Sequence, residues 1–372
     1  MGKTLILNSI PVYNEAPVSE NLLLEKLDDF FEQLNQRDER SKILLYRSER
    51  AELKKRLNEK KFDSGMVDLK LIEVPNPGAF VYSNSSAVNN VVNGEKAKPI
   101  YCESDESVLM IEDLLYSDQK QVYISYKKQQ ELLTVYRQTK PANILAAFGQ
   151  IESFKGMYFG HPMGFFVSKE QLDTSITVTT DQIYIFDESD CMLDRLAFLV
   201  ARYESESCGQ CTFGYEGGTQ LQMILSDISQ KKGKSEDLTL LYNLSMMMKD
   251  QSLCEIGRSA ANTVLTALDL YRSEIEAHIN SKVCQAGVCS KFLTYHILAD
   301  RCTGCTDCLD VCDDEAILGK KRFIHVIDQV ECSQCGECLS VCEDDAIIKA
   351  GAVKPRGPKK PLPCKNRVRG VI

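Results

Sequence analysis

Tryptophan is absent from this sequence, histidine occurs four times, and no apolar run approaches the ~20 residues of a membrane-spanning helix. The missing apolar run excludes a transmembrane segment, so we expect a soluble protein. Glycine is scarce at the front, where Gly65 stands alone between residues 3 and 77. A loop that wraps phosphate with its backbone amides needs closely spaced glycines, so none is expected there. The net charge of −9 disfavours nucleic acid as the main partner.

Cysteine, by contrast, is abundant, with 16 residues in a chain of 372. The chain is 44% hydrophobic and long enough for about two to four domains with cores of their own. The apolar stretch near the N-terminus is too short and too lightly charged for a signal peptide. Because metal-binding thiolates must stay reduced, this cysteine content predicts a cytoplasmic protein.

Two copies of one cysteine pattern lie close together near the C-terminus. The pattern is C-x2-C-x2-C-x3-C, and its surroundings repeat as well, as CTGCTDCLDVCDDEAI and CSQCGECLSVCEDDAI. Such runs hold two [4Fe–4S] clusters, and the fourth thiolate of each run ligates the other cluster. The predicted ligands are Cys302, Cys305, Cys308 and Cys342 for the first cluster, and Cys332, Cys335, Cys338 and Cys312 for the second.

Structural zinc is the alternative for these cysteines, since it also binds four thiolates, commonly as separated pairs. Here the cysteines form two unbroken quartets without histidine, which favours iron and sulfide. The proline that usually follows the fourth cysteine is replaced by Asp313 and Glu343. Thiolate ligation does not need that proline, and the carboxylates disfavour the addition of an electron.

The rest of the chain shows sequence patterns that are typical of strands and helices. Residues 4–74 follow a β-α-β rhythm typical of a small α/β layer. Residues 101–184 are mixed, with a strand QVYISY, a helix near 128–137 and strands near 143–168. Four amphipathic helices are predicted at about 190–204, 217–230, 236–249 and 256–280, each with apolar residues at three-and-four spacing.

A third cysteine pattern lies between the first two of those helices, in ESCGQCTFGYEGG. Cys208 and Cys211 are spaced C-x2-C, and Cys254 follows alone. This segment resembles the flavin-carrying, NADH-oxidising subunit of respiratory complex I and of NADH-dependent, electron-bifurcating hydrogenases. In that family ESCGxCxPCRxG and one distant cysteine hold a [4Fe–4S] cluster inside a four-helix bundle. Here Gly214 replaces the third motif cysteine, with Phe213 and Tyr215 in place of proline and arginine.

The resemblance therefore implies three of four thiolates, which leaves several outcomes open. Cys208, Cys211 and Cys254 could hold a [3Fe–4S] cluster, or a [4Fe–4S] cluster with water or another side chain on the fourth iron. They could also be relics that pack as small apolar residues, as buried free cysteine does.

The resemblance extends upstream and weakens toward the N-terminus. The segment from Gly78 to Val88 corresponds to GAYVCGEETAL, in which two glutamates border the nicotinamide; here they are Asn84 and Ser85. Residues 159–164 resemble a GGPSG stretch in the β-grasp-like middle domain. The motifs GRGGAGFPTGLKW and NADEGEPG, which hold the flavin in that family, are absent. The chain is thus expected to have lost FMN and NADH binding.

These observations together predict an α+β multidomain protein. The expected order is a degenerate flavin/NADH-type α/β domain at 1–100, a β-grasp-like domain at 101–184, and a helical iron–sulfur-type domain, a four-helix bundle, at 185–281. A two-[4Fe–4S] ferredoxin domain follows at 282–348, and a basic, proline-rich tail at 349–372. The tail carries eight basic residues and no acidic one. It is interpreted as a solvated, disordered segment or as an arm that docks on an acidic partner.

The remaining cysteines and histidines include candidates for zinc. Cys284 and Cys289 are spaced C-x4-C, and His325 and Cys364 are the further ligands we predict for this site. Cys102 and Cys191 are interpreted as core cysteines. His161 and His278 belong to no motif.

The predicted function is that of an iron–sulfur electron-transfer subunit in a soluble multi-subunit oxidoreductase. It would relay single electrons between a partner redox subunit, a flavoprotein, dehydrogenase or hydrogenase, and ferredoxin or another dehydrogenase, with no catalytic residue of its own. One alternative is an NADH dehydrogenase subunit that binds FMN and NADH through an unrecognised site. Another is a non-redox scaffold subunit.

Overall fold

The structure is a computed structural model that describes residues 4–75, 80–100 and 107–364. Gly78 and Ala79, the predicted core cysteine Cys102 and the last residues of the tail lie outside the described residues. The chain divides into two compact units. The first comprises residues up to 188, 195–225 and 236–272, and the second comprises 189–194, 226–235 and the residues from 273 onward.

The first unit begins with a parallel four-stranded sheet in the order β3-β2-β1-β4. Its strands and flanking helices are β1 Thr4–Asn8, α1 Val18–Glu25, α2 Leu27–Asn35, β2 Ser41–Arg47, α3 Ala51–Asp63, β3 Leu69–Val74, α4 Ser85–Val92, β4 Val108–Met110 and α5 Ile111–Leu115. Strands β1 and β2 are apolar on both faces, as parallel strands covered on both sides are. Phe30, Phe31 and Leu34 of α2 pack with them in one core.

A mixed five-stranded sheet follows, in the order β6-β5-β11-β8-β9. The elements here are β5 Gln119–Tyr126, β6 Gln129–Tyr136, β7 Gln138–Thr139, α6 Pro141–Phe148, β8 Phe154–Phe159, β9 Phe165–Ser168, β10 Ile176–Thr177 and β11 Gln182–Asp187. Only the β5–β11 pair in this sheet is parallel.

Two predictions for this region are wrong. A helix was predicted near 128–137, but Gln129–Tyr136 form strand β6, because Lys127 adopts a positive φ of 53° and the chain turns back to pair with β5. Residues 141–148 form helix α6 where a strand was predicted, and Pro141 stands in its first turn, where proline favours a helix start.

A buried polar network joins the two sheets within the first unit. Lys120 on β5 lies 2.7 Å from an Asp181 oxygen and also contacts Glu112 on α5. The Ser19 hydroxyl on α1 donates a hydrogen bond of 2.6 Å to Glu112. Burial, followed by the Glu112 charge, raises the pKa of Asp181 to about 6 although Lys120 opposes the shift. The lysine thus compensates charges that would be costly to bury alone.

Four helices lie close to the predicted positions: α7 Met192–Ser205, α8 Thr212–Ser229, α9 Asp237–Gln251 and α10 Glu255–Glu276. In the first unit, the Tyr158 hydroxyl on β8 is hydrogen-bonded to Tyr203 on α7 at 3.0 Å and to Thr263 on α10 at 2.8 Å. These bonds attach two of the helices to the mixed sheet. Among the described residues, no helix is both long enough and apolar enough to cross a membrane.

The second unit holds the cysteine quartets. Its elements are β12 Thr294–Ile297, α11 Asp307–Asp310, β13 Ile317–Leu318, β14 Phe323–Ile324, β15 Val326–Ile327, α12 Glu337–Ser340, β16 Ile347–Ala350 and β17 Leu362–Pro363. Strand β12 precedes the first quartet in the sequence and β16 follows the second, and the two strands pair antiparallel. Strand β17 pairs with β14, so part of the tail is ordered where a disordered segment was one interpretation.

Candidate metal centres

Each quartet folds around one short helix. Thr306 and Gly336 occupy equivalent places in the two quartets, one before α11 and the other before α12, and both have a positive φ near 90°. This left-handed residue turns the chain just ahead of the third cysteine of each quartet. As a result Cys308 and Cys338 point inward and are the two buried members of the set.

The thiols of the two quartets interleave. Burial raises the pKa of Cys308 to about 12, and Cys305, Cys302, Cys342 and Cys338 add to the shift in that order. Burial likewise raises the pKa of Cys338 to about 11, with further contributions from Cys332, Cys335 and Cys312. Each buried thiol therefore lies near two cysteines of its own quartet and the fourth cysteine of the other.

A small pocket lies between the predicted ligands of the first cluster. Its lining includes Cys302, Cys305, Cys308 and Cys342, together with Thr303, His325 and Asp344. Several thiolates around one space repel each other unless cations lie between them, and four sulfur donors suit zinc or an iron–sulfur cluster. The donors present thus fit the predicted group.

An apolar core surrounds the thiols. Tyr295, Ile297, Ile317, Ile327 and Ile347 pack in one cluster with Cys308 and Cys338. The isoleucines come from the short strands β12, β13, β15 and β16. The shell covers Cys308 and Cys338, whereas Cys335 is exposed, and the polarity around a cluster is one determinant of its reduction potential.

A second metal-binding geometry in this unit combines Cys191, His278, Cys284 and Cys289. Their candidate ligand atoms all lie within 4.8 Å of one another. Cys191 Sγ is 3.3 Å from His278 Nε2 and 3.4 Å from Cys289 Sγ. Three sulfurs and one imidazole are a common donor set for structural zinc.

The local fold brings these four side chains together. Cys191 directly precedes α7, and His278 lies in a π-helical turn, Ala277–Ser281, that follows α10. His278 Nδ1 donates a hydrogen bond of 2.8 Å to the Glu274 carbonyl oxygen, which leaves Nε2 facing the sulfurs. Gly287, with a φ of 67°, turns the loop that carries Cys284 and Cys289.

The three sulfurs of this group share protons unequally: hydrogen bonds with Cys284 and Cys289 raise the pKa of Cys191 well above its usual value, and the pKa of Cys289 is also raised, because the hydrogen bond from Cys191 is outweighed by the Cys284 sulfur and burial. Hydrogen bonds from Cys191 and Cys289 lower the pKa of Cys284 far below its usual value. Burial opposes ionisation of His278, but the Cys191 and Cys284 sulfurs raise the pKa of its imidazole to about 10. A thiolate is the form of cysteine that binds a metal.

The structure corrects the predicted zinc ligands. Cys284 and Cys289 belong to the group, whereas His325 and Cys364 do not. His325 lies 3.3 Å from the Cys308 sulfur, and the Cys364 sulfur lies 3.5 Å from the Cys302 carbonyl oxygen. Cys191, interpreted as a core cysteine, could not be assigned to this group in advance, because most of the helical region separates it from the other three residues.

The third cysteine pattern lies in the first unit. Burial raises the pKa of Cys254 to about 11, and the nearby sulfurs of Cys208 and Cys211 add to the shift. The Gly214 amide donates to Cys211 Sγ at 3.3 Å, and a Cβ on Gly214 would lie 2.8 Å from that sulfur. The position of the missing fourth thiolate therefore adjoins the three that remain.

Residues 80–88 resemble the family segment that borders the nicotinamide, and here they pack against protein side chains. Phe80 stacks on His161 with ring centroids 4.6 Å apart, and meets Tyr13 and Tyr203 edge-on. Burial lowers the pKa of His161 to about 3, so this imidazole is neutral. Asn84 caps helix α4 by accepting a hydrogen bond of 3.1 Å from the Ala87 amide.

Comparison with known families finds two iron–sulfur matches in this chain. Residues 194–278 match the NADH-ubiquinone oxidoreductase-F iron-sulfur binding region, and residues 294–346 match the 4Fe-4S dicluster domain. These two matches identify a chain that carries iron–sulfur binding regions of both kinds. The resemblance drawn from the sequence is confirmed over these regions.

Two relatives illustrate the similarity. The chain is 36% identical to the HndC subunit of the NADP-reducing hydrogenase of Solidesulfovibrio fructosivorans over 184 residues, 47% of this chain and 38% of the relative. It is 33% identical to the F subunit of the NADH-quinone oxidoreductase of Streptomyces coelicolor over 105 residues, 28% of this chain and 23% of the relative. The chain thus spans less than two fifths of either relative.

Among solved structures, an NAD+-reducing [NiFe]-hydrogenase in the H2-reduced state superimposes with a TM-score of 0.63. The superposition covers 75% of this chain and 57% of the other, at 18% sequence identity. The two chains therefore share a fold.

Proposed function

We propose that this chain is an iron–sulfur electron-transfer subunit of a multi-subunit oxidoreductase. The observation that carries the proposal is the interleaving of eight thiols from two quartets in the second unit. The clusters, when bound, accept and release single electrons. Cys302, Cys305, Cys308 and Cys342 hold one cluster, and Cys332, Cys335, Cys338 and Cys312 hold the other. The surrounding isoleucines pack against Cys308 and Cys338, the two buried thiols.

We further propose the domain organisation that the sequence predicts. The mixed sheet corresponds to a β-grasp-like domain, helices α7 to α10 to a four-helix bundle, and the quartets to a ferredoxin domain. The parallel sheet at the front is the remnant of a flavin- and NADH-binding domain. The family matches at residues 194–278 and 294–346 support the helical and ferredoxin parts of this organisation.

The packing around Phe80 supports the loss of the nucleotide site. The ring of Phe80 is 1% exposed, with His161 on its face and Tyr13 and Tyr203 at its edges. A ring buried in this way cannot stack on a nicotinamide or a flavin. Asn84, in the position of an acidic residue that borders the nicotinamide, is engaged in capping a helix.

The proposed partners are other redox subunits in the cytoplasm, one of which reduces the clusters and one of which oxidises them. A flavoprotein, a dehydrogenase or a hydrogenase would serve as the first, and ferredoxin or a second dehydrogenase as the other. The basic residues after Lys349 would face an acidic surface of such a partner.

The test of this function is the behaviour of protein purified without oxygen. We expect about eight irons and eight sulfides in the two quartets, and an absorbance spectrum without flavin bands. Dithionite should bleach the clusters, whereas NADH should not, even with FMN added.

A separate NADH-oxidising flavoprotein with a mediator dye provides the control, because it should restore reduction by NADH. Tightly bound FMN together with direct reduction by NADH would instead establish an NADH dehydrogenase. Clusters that react with dithionite but with no redox protein would point to a scaffold.

We propose that Cys191, His278, Cys284 and Cys289 bind structural zinc. Zinc held by three thiolates and one imidazole neutralises their charge and ties the start of α7 to the end of α10 and to the loop that follows it. All three of these segments belong to the second unit.

The three-thiolate site leads to a prediction for Gly214→Cys. The new sulfur should complete a set of four, and iron should rise by about four atoms per chain if the native site is empty, or by about one if it holds a three-iron cluster. Iron and sulfide counts on reconstituted protein measure this. Gly218→Cys, on the same helix with open space at its Cβ, is the matched control and should add none. Equal iron in the two variants, with no more than about eight irons per chain in either, would contradict a vestigial cluster site, whereas about twelve in both would indicate a native four-iron cluster.

A further inference from the structure

One residue distinguishes the surroundings of the two proposed clusters. His325 and Tyr295 occupy equivalent places in the internal repeat, each seven residues before the first cysteine of a quartet. His325 precedes the second quartet but lies beside Cys308 of the first. Tyr295 precedes the first quartet but lies near Cys338 of the second. Burial raises the pKa of the Tyr295 hydroxyl, and the nearby cysteine sulfurs of the second quartet add to the shift. The repeat therefore places a different ring beside each cluster.

The two rings make different contacts. His325 is 1% exposed, and its Nδ1 lies 3.3 Å from Cys308 Sγ, within hydrogen-bond range for sulfur. Tyr295 packs against Gly336, where a Cβ would come within 2.4 Å of its hydroxyl oxygen. In the described part of the chain, no hydrogen bond joins Tyr295 to a cysteine sulfur.

The position of the His325 ring is tightly fixed. A Cβ on Gly319 would lie 2.0 Å from the His325 Cδ2 atom, so only glycine leaves room for the ring there. The ring also lines the space between Cys302, Cys305, Cys308 and Cys342. The Gly319 backbone on one side of the imidazole thus holds the ring with Nδ1 toward the Cys308 sulfur.

The chemistry of the sulfur fixes the direction of the bond. A cysteine that ligates iron is a thiolate, which has no proton to donate and can only accept. A ring nitrogen 3.3 Å from that sulfur must therefore carry the hydrogen. The neutral imidazole has a tautomer with its hydrogen on Nδ1, so no added positive charge is needed.

We propose that His325 donates a hydrogen bond to the Cys308 thiolate and thereby raises the reduction potential of the first cluster. This rests on the proposed function, since it requires the clusters. Reduction adds one electron to the cluster and transfers no proton, and the added negative charge is shared with the ligand sulfurs. A donor aimed at one of those sulfurs stabilises the reduced form more than the oxidised form. His325 is a positioning residue and does not ligate iron.

The first test compares His325→Phe with His325→Asn. Phenylalanine keeps an aromatic ring without a donor, whereas the asparagine amide can present an N–H close to the position of Nδ1. Redox titration of the intact holoprotein with dithionite, followed by electron paramagnetic resonance, gives two reduction steps. We expect His325→Phe to disfavour reduction in one step by about tenfold, which is ~59 mV for one electron. His325→Asn should recover most of that shift.

Tyr295→Phe is the matched control and should leave both potentials where they are, because the hydroxyl makes no bond to sulfur. Potentials unchanged in His325→Phe, with about eight irons retained, would overturn the inference and leave the proposed function intact. Absence of iron and sulfide from the unaltered protein would instead remove the proposed function.

A second measurement covers the case in which His325→Phe fails to assemble the first cluster. Unaltered protein that contains 15N-labelled histidine is reduced and studied by pulsed electron paramagnetic resonance. We expect a weak 15N coupling from one histidine, and we expect that coupling to be lost in His325→Asn and kept in Tyr295→Phe. A reduced protein without any such coupling would contradict the hydrogen bond.

Discussion

We expect Cys305→Ala combined with Cys342→Ala to lose no more iron than either substitution alone, although the two cysteines lie in different quartets. The reason is that both are proposed ligands of the same cluster, as the pKa shift of Cys308 by Cys305 and Cys342 indicates. The double variant should therefore retain about four irons per chain. Iron and sulfide counts on protein purified without oxygen measure the effect.

The comparison is Cys305→Ala with Cys312→Ala, two residues of one quartet that are proposed to serve different clusters. That double variant should lose nearly all of the iron in the second unit. Cys364→Ala is the control for a general effect of removing a thiol, and should keep about eight irons. If each quartet bound its own cluster, the two double variants would exchange their results, and the crossed assignment would be wrong.

Loss of zinc should be the largest single effect on the stability of the second unit. Cys191→Ser and His278→Ala each remove one of four ligands, and we expect the bound zinc to fall from about one per chain to nearly none. Structural zinc contributes about 10–16 kcal/mol of apparent binding free energy in small zinc-finger peptides. Partial loss of such a term should lower the temperature at which this unit unfolds by many degrees. Metal analysis and thermal unfolding provide the measurements.

Cys364→Ser separates the ligands proposed from the structure from the set predicted by the sequence. Its sulfur lies beside the Cys302 carbonyl oxygen and not in the zinc group, so this variant should keep its zinc. Zinc retained in Cys191→Ser but lost in Cys364→Ser would reverse the assignment. Protein that holds iron and sulfide but never zinc would contradict the zinc proposal and leave the clusters unaffected.

The cysteine quartets could be recognised from the sequence because their spacing is local. Within a quartet, two or three intervening residues bring the sulfurs to one side of a short helix, so the pattern itself records the site. The proposed zinc group is not marked as a whole by any local sequence pattern, because Cys191 is far from the other three residues in the chain. Cys191 and His278 meet because α7 begins where α10 ends, and that follows from how the helices pack. Only the C-x4-C pair of Cys284 and Cys289 was visible in advance.

The same contrast holds for the elements of the fold. The amphipathic pattern of α7 to α10 recurs over many turns and predicts them well. Strand β6 has eight residues, and these suit a helix when considered alone. It becomes a strand because the Lys127 turn returns the chain to β5, which supplies eight paired residues. Tertiary pairing of this kind overrides local preference.

The antiparallel pairing of β12 with β16 means that the chain enters and leaves the two-quartet segment at neighbouring points. A segment whose two ends meet can be inserted into or removed from a host chain without separating the parts on either side. This arrangement offers a simple physical route by which an electron-carrying module can be exchanged among otherwise different redox proteins.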